Sequence, residues 1–365
     1  MLLQTIDDLI KATAKPNPVN IAGYGRESTH KGYLSWIFNG DRWEGASAAF
    51  LAICKESKMS PLPFRIIKKI SCEWEWKLAK RRKVDLVVFV ETDTGKYAVP
   101  IELKTDSGQS GENQFEIMSG GQIDGYEIPL RLIFALGSAA VQDFKDIGKF
   151  IKLSNEDLLK AFADWKPEGF FGDWIESLSI EAARKAHGPE VYRRCVSKDN
   201  PTLRYNNCGY RTYDHLMYYV LDHVRLKIGD SLGDRFLWTL YSGGYNAVLN
   251  FDRRWKLRGL KAWVFFEFNN STFVMKIQNQ DSDKERIRQL LHLVRTNAVE
   301  WYPANLTPVP PRSNKLDATW LSVLYWNLNI EDADAVGEMI SSVINHTIRE
   351  GPLTDQLESL QPMRF

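Results

Sequence analysis

The chain has 365 residues, 44% hydrophobic and 25% charged, the balance of a globular protein with room for one large domain or two ordinary ones. Its formal net charge of +1 excludes a coat-like, charge-driven nucleic-acid binder, so any phosphate contact must come from local basic patches. Cys54, Cys72, Cys195 and Cys208 form no CxxC pair, which argues against a zinc ribbon or redox motif and for a reducing, cytoplasmic setting.

The N-terminal run MLLQTIDDLIKATAK carries acids inside a short apolar stretch and does not read as a signal peptide; no stretch approaches the length of a membrane span. The spacing of Leu34 and Ile37 predicts a helix from Arg26 to Phe38, and a second is expected from Ala46 to Lys55. Two dense β-type runs follow, VDLVVFVE from Val84 to Glu91 and YAVPIELKT from Tyr97 to Thr105. Between them Thr92 to Lys96 has the composition of a hairpin turn. A helix from about Glu112 stops before Gly120-Gly121, and PLRLIFALG (Pro129 to Gly137) reads as a third buried strand. Lys152 to about Asp230 is read as mostly helical. Strands are then expected at Tyr245–Phe251, Ala262–Phe268, Thr272–Gln278 and Leu321–Leu328, with helices at Asp283–Val299 and Ala333–Arg349. The expected organisation is a core over 1–152, a helical connecting region over 153–240, and an α+β region over 241–365 suited to recognition or dimerisation.

The chemistry lies in the hairpin. In the second run Val99, Ile101 and Leu103 point to one face and Glu102 and Lys104 to the other. A charged pair on an apolar strand is costly if buried and unpaired, which suggests a sheet edge that opens onto a cleft. With a four-residue loop, Glu91 faces Lys96 and, counting back, Asp85 faces Glu102. Cβ atoms so opposed lie roughly 4.5–5.5 Å apart, close enough for two carboxylates to share a divalent cation. Mg²⁺ suits such a site because it takes hard oxygen ligands and keeps waters that can attack a phosphodiester, with Mn²⁺ as a substitute. Lys104 points to the same place, where it can hold the attacking water or steady the phosphate.

VDLVVFV followed by VPIELKT resembles the core of the PD-(D/E)xK nuclease superfamily, which includes restriction endonucleases and RecB-like exonucleases. The resemblance spans roughly residues 20 to 137. It implies an α/β fold with a central mixed sheet flanked by helices. It also implies Asp85 and Glu102 as metal ligands, together with the backbone carbonyl of Leu103, and Lys104 as catalytic lysine. Val84 stands where many members have proline. Members often carry a glutamate on the preceding helix that approaches a second metal, the place held here by Glu27, which shares a helix face with His30 at i, i+3. RecB-like members carry Gln-x-x-x-Tyr after the lysine, matched here by Gln122 and Tyr126, with Gln114 as the rival glutamine.

Bland readings stand beside these. Glu102 and Lys104 fit a solvated strand face paired with Arg82 or Lys83; Glu27 equally fits a helix-dipole role, and His30 a packing role. The basic run with Lys80, Arg81, Arg82 and Lys83 is either a solvated loop or a phosphate contact, and the patch from Arg253 to Lys261 divides the same way. The expectation is a Mg²⁺-dependent nuclease acting on DNA, with RNA and a homodimer both open. The alternative is a nuclease fold without turnover that serves as a nucleic-acid-binding or assembly module.

Overall fold

The computed structural model describes residues 3–59, 62–64, 66–79, 82–106, 114–196, 203–232, 238–242, 246–280, 284–302, 307–309, 319–327, 330, 333–351 and 353–358. The chain divides into two compact units, Met1–His215 and Leu216–Phe365.

The first unit opens with helices α1 (Ile6–Ala14) and α2 (Pro18–Ala22), then α3 (Glu27–Ile37) and α4 (Ala46–Glu56). Strands β1 (Lys69–Ala79), β2 (Arg82–Glu91) and β3 (Lys96–Thr105) follow, then α5 (Gln114–Ser119), β4 (Arg131–Leu136), β5 (Phe150–Ser154), α6 (Asn155–Ala161) and the long α7 (Gly169–Val196). The five strands form one mixed sheet in chain order. β1, β2 and β3 are antiparallel neighbours, and β3, β4 and β5 run parallel. The expected four-residue turn is present: Glu91 pairs with Lys96, and the Thr92 N–H donates to the Gly95 carbonyl.

Alternation sorts each strand's residues between two cores. Leu86, Val88, Val90, Val99, Ile101, Leu103, Leu132 and Phe134 pack with Leu34 and Ile37 of α3, Phe50 of α4 and Trp174 of α7. Val87, Phe89, Ala98 and Ile133 pack on the opposite side with Phe115 and Met118 of α5. Burying each large apolar side chain contributes roughly 1.5–3 kcal/mol, which fixes the strand register and hence the side on which every polar residue emerges.

Three expectations need correction here. The run from Lys77 to Lys83 is not one solvated loop: Lys77, Leu78 and Ala79 end β1, and Arg82 and Lys83 begin β2. Lys80 and Arg81 lie outside the described residues. β1 escaped the sequence pattern because its burial does not alternate, and Glu75 within it takes φ 49°. The reading of Lys152 onward as mostly helical missed β5, a short strand with a half-buried Lys152 among its apolar residues. Finally, β3 is no sheet edge, since it lies between β2 and β4.

Helix α8 (Tyr213–Leu232) begins at the end of the first unit and continues into the second. There β6 (Trp238–Ser242), β7 (Ala247–Phe251), β8 (Trp255–Lys256), β9 (Ala262–Asn269), β10 (Thr272–Asn279) and β11 (Trp320–Asn327) form an antiparallel sheet in the order β11-β10-β9-β7-β6, with β8 beside β9. Helices α9 (Lys284–Trp301) and α10 (Ala333–Asn345) bury Ile287, Leu291 and Val294, and Val336, Ile340 and Val343. β7, β9, β10, β11, α9 and α10 match the strands and helices expected for this half, whereas β6 and the two-residue β8 were not expected. No helix among the described residues is long and apolar enough to cross a membrane.

Candidate active site

Glu102 and Lys104 are four and six residues beyond Ala98 on β3 and emerge on its side of the sheet, the side that α5 covers. They are buried, 4% and 5% exposed, which removes the reading of a solvated strand face paired with Arg82 or Lys83. Lys104 Nζ donates to Glu102 Oε1 at 2.8 Å. Phe115 and Met118 anchor α5, and its first residue, Gln114, donates from Nε2 to the same Oε1 at 2.8 Å. Glu102 Oε2 is buried with no hydrogen-bond partner. A buried polar atom left unsatisfied costs roughly 1–3 kcal/mol, so this oxygen marks a place for a donor or a cation. Burial pushes the Glu102 carboxyl up to about 7. Lys104 opposes that rise, and the charges of Asp85 and Glu27 add to it.

The β2–β3 ladder ends at Leu86 and Ile101, one step short of the direct opposition of Asp85 and Glu102 that the hairpin count implies. Asp85 reaches β3 through its side chain instead. Its Oδ2 accepts the Leu103 N–H at 2.8 Å, from the residue between Glu102 and Lys104. The paired strands therefore part at the point where the charged groups meet. Asp85 Oδ1 lies 2.6 Å from Lys31 Nζ, supplied by α3. Burial works against the Lys31 ammonium, but the Asp85 hydrogen bond and charge, with Glu75 and Glu27, raise its pKa above the ordinary lysine value. Glu27 stands in the first turn of α3, close enough to Glu102 and Lys31 to influence both.

Two placements, those of Gln122 and Tyr126, differ from the sequence expectation. Gln122 is exposed and off any helix, whereas Gln114 reaches Glu102 because α5 starts there. Tyr126 packs edge-on against Phe89, with ring centroids 4.9 Å apart, as part of the apolar cluster on that side. His30 takes the packing role: it is fully buried, Trp174 Nε1–H donates to its Nδ1, and its Nε2 bonds the Tyr24 carbonyl at 2.7 Å. Burial lowers the His30 pKa to about 4, so the ring is a neutral packing element. The residue that accompanies Glu27 toward the site is Lys31, one turn on at i, i+4. The sequence signal for it was this Glu–Lys spacing at the start of a helix.

Of the basic patches, Lys83 pairs with Glu75 at 3.3 Å on the surface beside exposed Trp74. In the second unit Arg254 lies over the Phe265 ring at 4.8 Å and bonds Gln278, and Lys256 pairs with Glu358 at 3.2 Å; part of that patch is thus structural.

Sequence analysis missed a second polar cluster in the same unit. Asp106, Glu181 and His215 offer three ligand atoms within 4.8 Å of one another, a set that could hold a metal ion. A guanidinium already occupies that centre. Arg211 bonds Asp106 through Nε and Nη2 and Glu181 through Nη1 at 2.9 Å, while His215 Nε2 lies 2.7 Å from Glu181 Oε1. Burial raises the Asp106 and Glu181 carboxyls, but Arg211 and His215 outweigh it and hold both below the ordinary range. Ser138 N–H caps Asp106 at 2.8 Å. Gly137 beside it has φ 58°, and a Cβ there would lie 2.2 Å from Asp106 Oδ1, so only glycine lets β4 approach this closely. A cavity of about 360 Å³ lies apart from both clusters, lined by Trp36, Trp43, Trp165, Lys166, Pro167, Glu168 and Phe171.

No family model, curated protein or solved structure matches this chain. The assignment of the site therefore rests on its geometry and chemistry.

Proposed function

We propose that the first unit is a metal-dependent nuclease on a restriction-endonuclease-like core, with Asp85, Glu102 and Lys104 at its centre. The observation that carries this is the buried, partnerless Glu102 Oε2, beside a second carboxylate and an ammonium where β2 and β3 part. A structural ion pair would have no reason to leave one carboxylate oxygen bare in the protein interior. Asp85, Glu102 and the Leu103 carbonyl would hold a Mg²⁺ or Mn²⁺ ion, and Glu27 is the fourth oxygen donor within reach of the same charges. Such an ion, when bound, acidifies a water and neutralises charge on the phosphate. Lys104 is fixed by Glu102 and can hold the attacking water or the non-bridging phosphate oxygen. Gln114 fixes the Glu102 carboxylate so that Oε2 stays free for the ion. The mixed order of β1 to β5, with α3 and α5 delivering Lys31 and Gln114, agrees with that core.

DNA is the substrate we favour, with RNA as the second to be tried. The second unit, with its antiparallel sheet, is assigned to target recognition or self-association. The test is to incubate the full chain with circular and linear duplex DNA, single-stranded DNA and RNA, in Mg²⁺, Mn²⁺ or EDTA. Metal-dependent cleavage of at least one form, lost in Asp85→Asn, is expected. Tight binding in EDTA with no cleavage in either metal would instead favour a binding module without turnover.

A further inference from the structure

Lys31 has no part in the nuclease chemistry described so far, yet its ammonium pairs directly with Asp85. Its Nζ lies 2.6 Å from Asp85 Oδ1, with only 13% and 14% of the two side chains exposed, while the Leu103 N–H holds Oδ2. Lys104 holds Glu102 Oε1 in the same way. Two ammonium groups thus stand on the two acids to which the proposal assigns a divalent ion. Glu27, Asp85 and Glu102 do not present three oxygens within 4.8 Å of one another, so the set is spread rather than gathered.

The charge balance gives this arrangement a consequence. With Glu102 ionised, the two acids Asp85 and Glu102 are matched by the two ammonium groups of Lys31 and Lys104. A divalent ion added to these four groups leaves positive charge that a phosphodiester can neutralise. Without Lys31 the site would hold the ion more tightly but would offer the phosphate one positive charge fewer. An ammonium at hydrogen-bond distance and a metal at roughly 2.1 Å compete for the same carboxylate oxygen.

We infer that Lys31 is a resident counter-ion of this site. It holds Asp85 in place before metal arrives, weakens metal binding by competing for Oδ1, and on release gives the substrate phosphate a second ammonium contact from α3. The inference rests on the nuclease reading, and its sign is opposite for the two ligands: losing Lys31 strengthens metal binding and weakens that of the substrate.

The test is calorimetric titration of Mn²⁺ into the full chain as wild type, Lys31→Met, Lys31→Arg and Asp85→Asn, with the KM for a DNA substrate measured at saturating metal. Lys31→Met is expected to bind Mn²⁺ at least tenfold more tightly than wild type, because one unit charge ~4 Å from a divalent ion is worth about 2 kcal/mol even in bulk water. Lys31→Arg keeps the charge and stays within about threefold of wild type. The KM for DNA rises in Lys31→Met. If Lys31→Met fails to fold, Lys31→Gln keeps a hydrogen bond to Asp85 without the charge, and the same tightening is expected of it. Unchanged Mn²⁺ affinity in the uncharged variants, with binding still lost in Asp85→Asn, overturns the counter-ion role and leaves the metal site standing. Absence of any Asp85-dependent Mn²⁺ binding overturns both.

Discussion

Replacing Glu102 with glutamine removes an acid that burial has pushed far from its ordinary range. The Glu102 carboxyl rises from 4.5 to about 7, chiefly because its charged form is desolvated. At ~1.4 kcal/mol per pKa unit this is on the order of 3 kcal/mol of folding stability. The folded pKa lies above the unfolded one, so the contribution is fully present below pH 4.5 and is lost as pH rises through about 7. Wild type in EDTA should therefore lose stability between pH 4.5 and 8 that Glu102→Gln keeps, because an amide has no charge to bury. For a domain of this size ~3 kcal/mol corresponds to a relative Tm change of roughly 6–12 °C. The assay is thermal unfolding followed by tryptophan fluorescence at half-unit pH steps, in EDTA and in excess Mg²⁺. Mg²⁺ should abolish the difference by binding the ionised carboxylate. Parallel Tm curves for the two proteins in EDTA would refute the claim that Glu102 is strained by burial.

Gln114→Ala should slow cleavage by roughly 10²-fold, whereas Gln122→Ala leaves kcat/KM unchanged, because only the former side chain touches Glu102. Lys104→Met should lower kcat by roughly 10²–10⁴-fold in single-turnover assays, while circular dichroism shows an intact fold. His30 titrates in the opposite sense to Glu102: its folded pKa of about 4 lies below 6.5, so its contribution is present above pH 6.5 and lost as pH falls toward 4. His30→Gln should flatten that acid limb of the Tm profile. Arg211→Met strips one cation from the fully buried Glu181 and should cost about 3 kcal/mol by urea denaturation of the wild-type and variant chains.

The hairpin was legible because β2 and β3 are buried on both faces and leave their signature as apolar runs. The same runs made Asp85, Glu102 and Lys104 conspicuous as polar exceptions. β1 and β5 were not legible, since an edge strand with a kink at Glu75 and a five-residue strand with Lys152 in it carry little periodicity. Gln122 matched a spacing, but Gly121 and Gly125 beside it withhold the helix the spacing needs, and α5 ends at Ser119. Gln114 was named only as a rival because its contact with Glu102 depends on where α5 begins. Lys31, Glu181 and Arg211 went unread for a different reason. Their partners lie far away in sequence, Arg211 being 105 residues from Asp106, so only the assembled fold brings the charges together.

The central claim concerns where a divalent ion sits, and the Mn²⁺ anomalous signal in crystals of the full chain measures that directly. The account predicts a peak bounded by Asp85, Glu102 and the Leu103 carbonyl, with Lys31 displaced from Asp85. A peak at Asp106, Glu181 and His215, or none at either cluster, would contradict it.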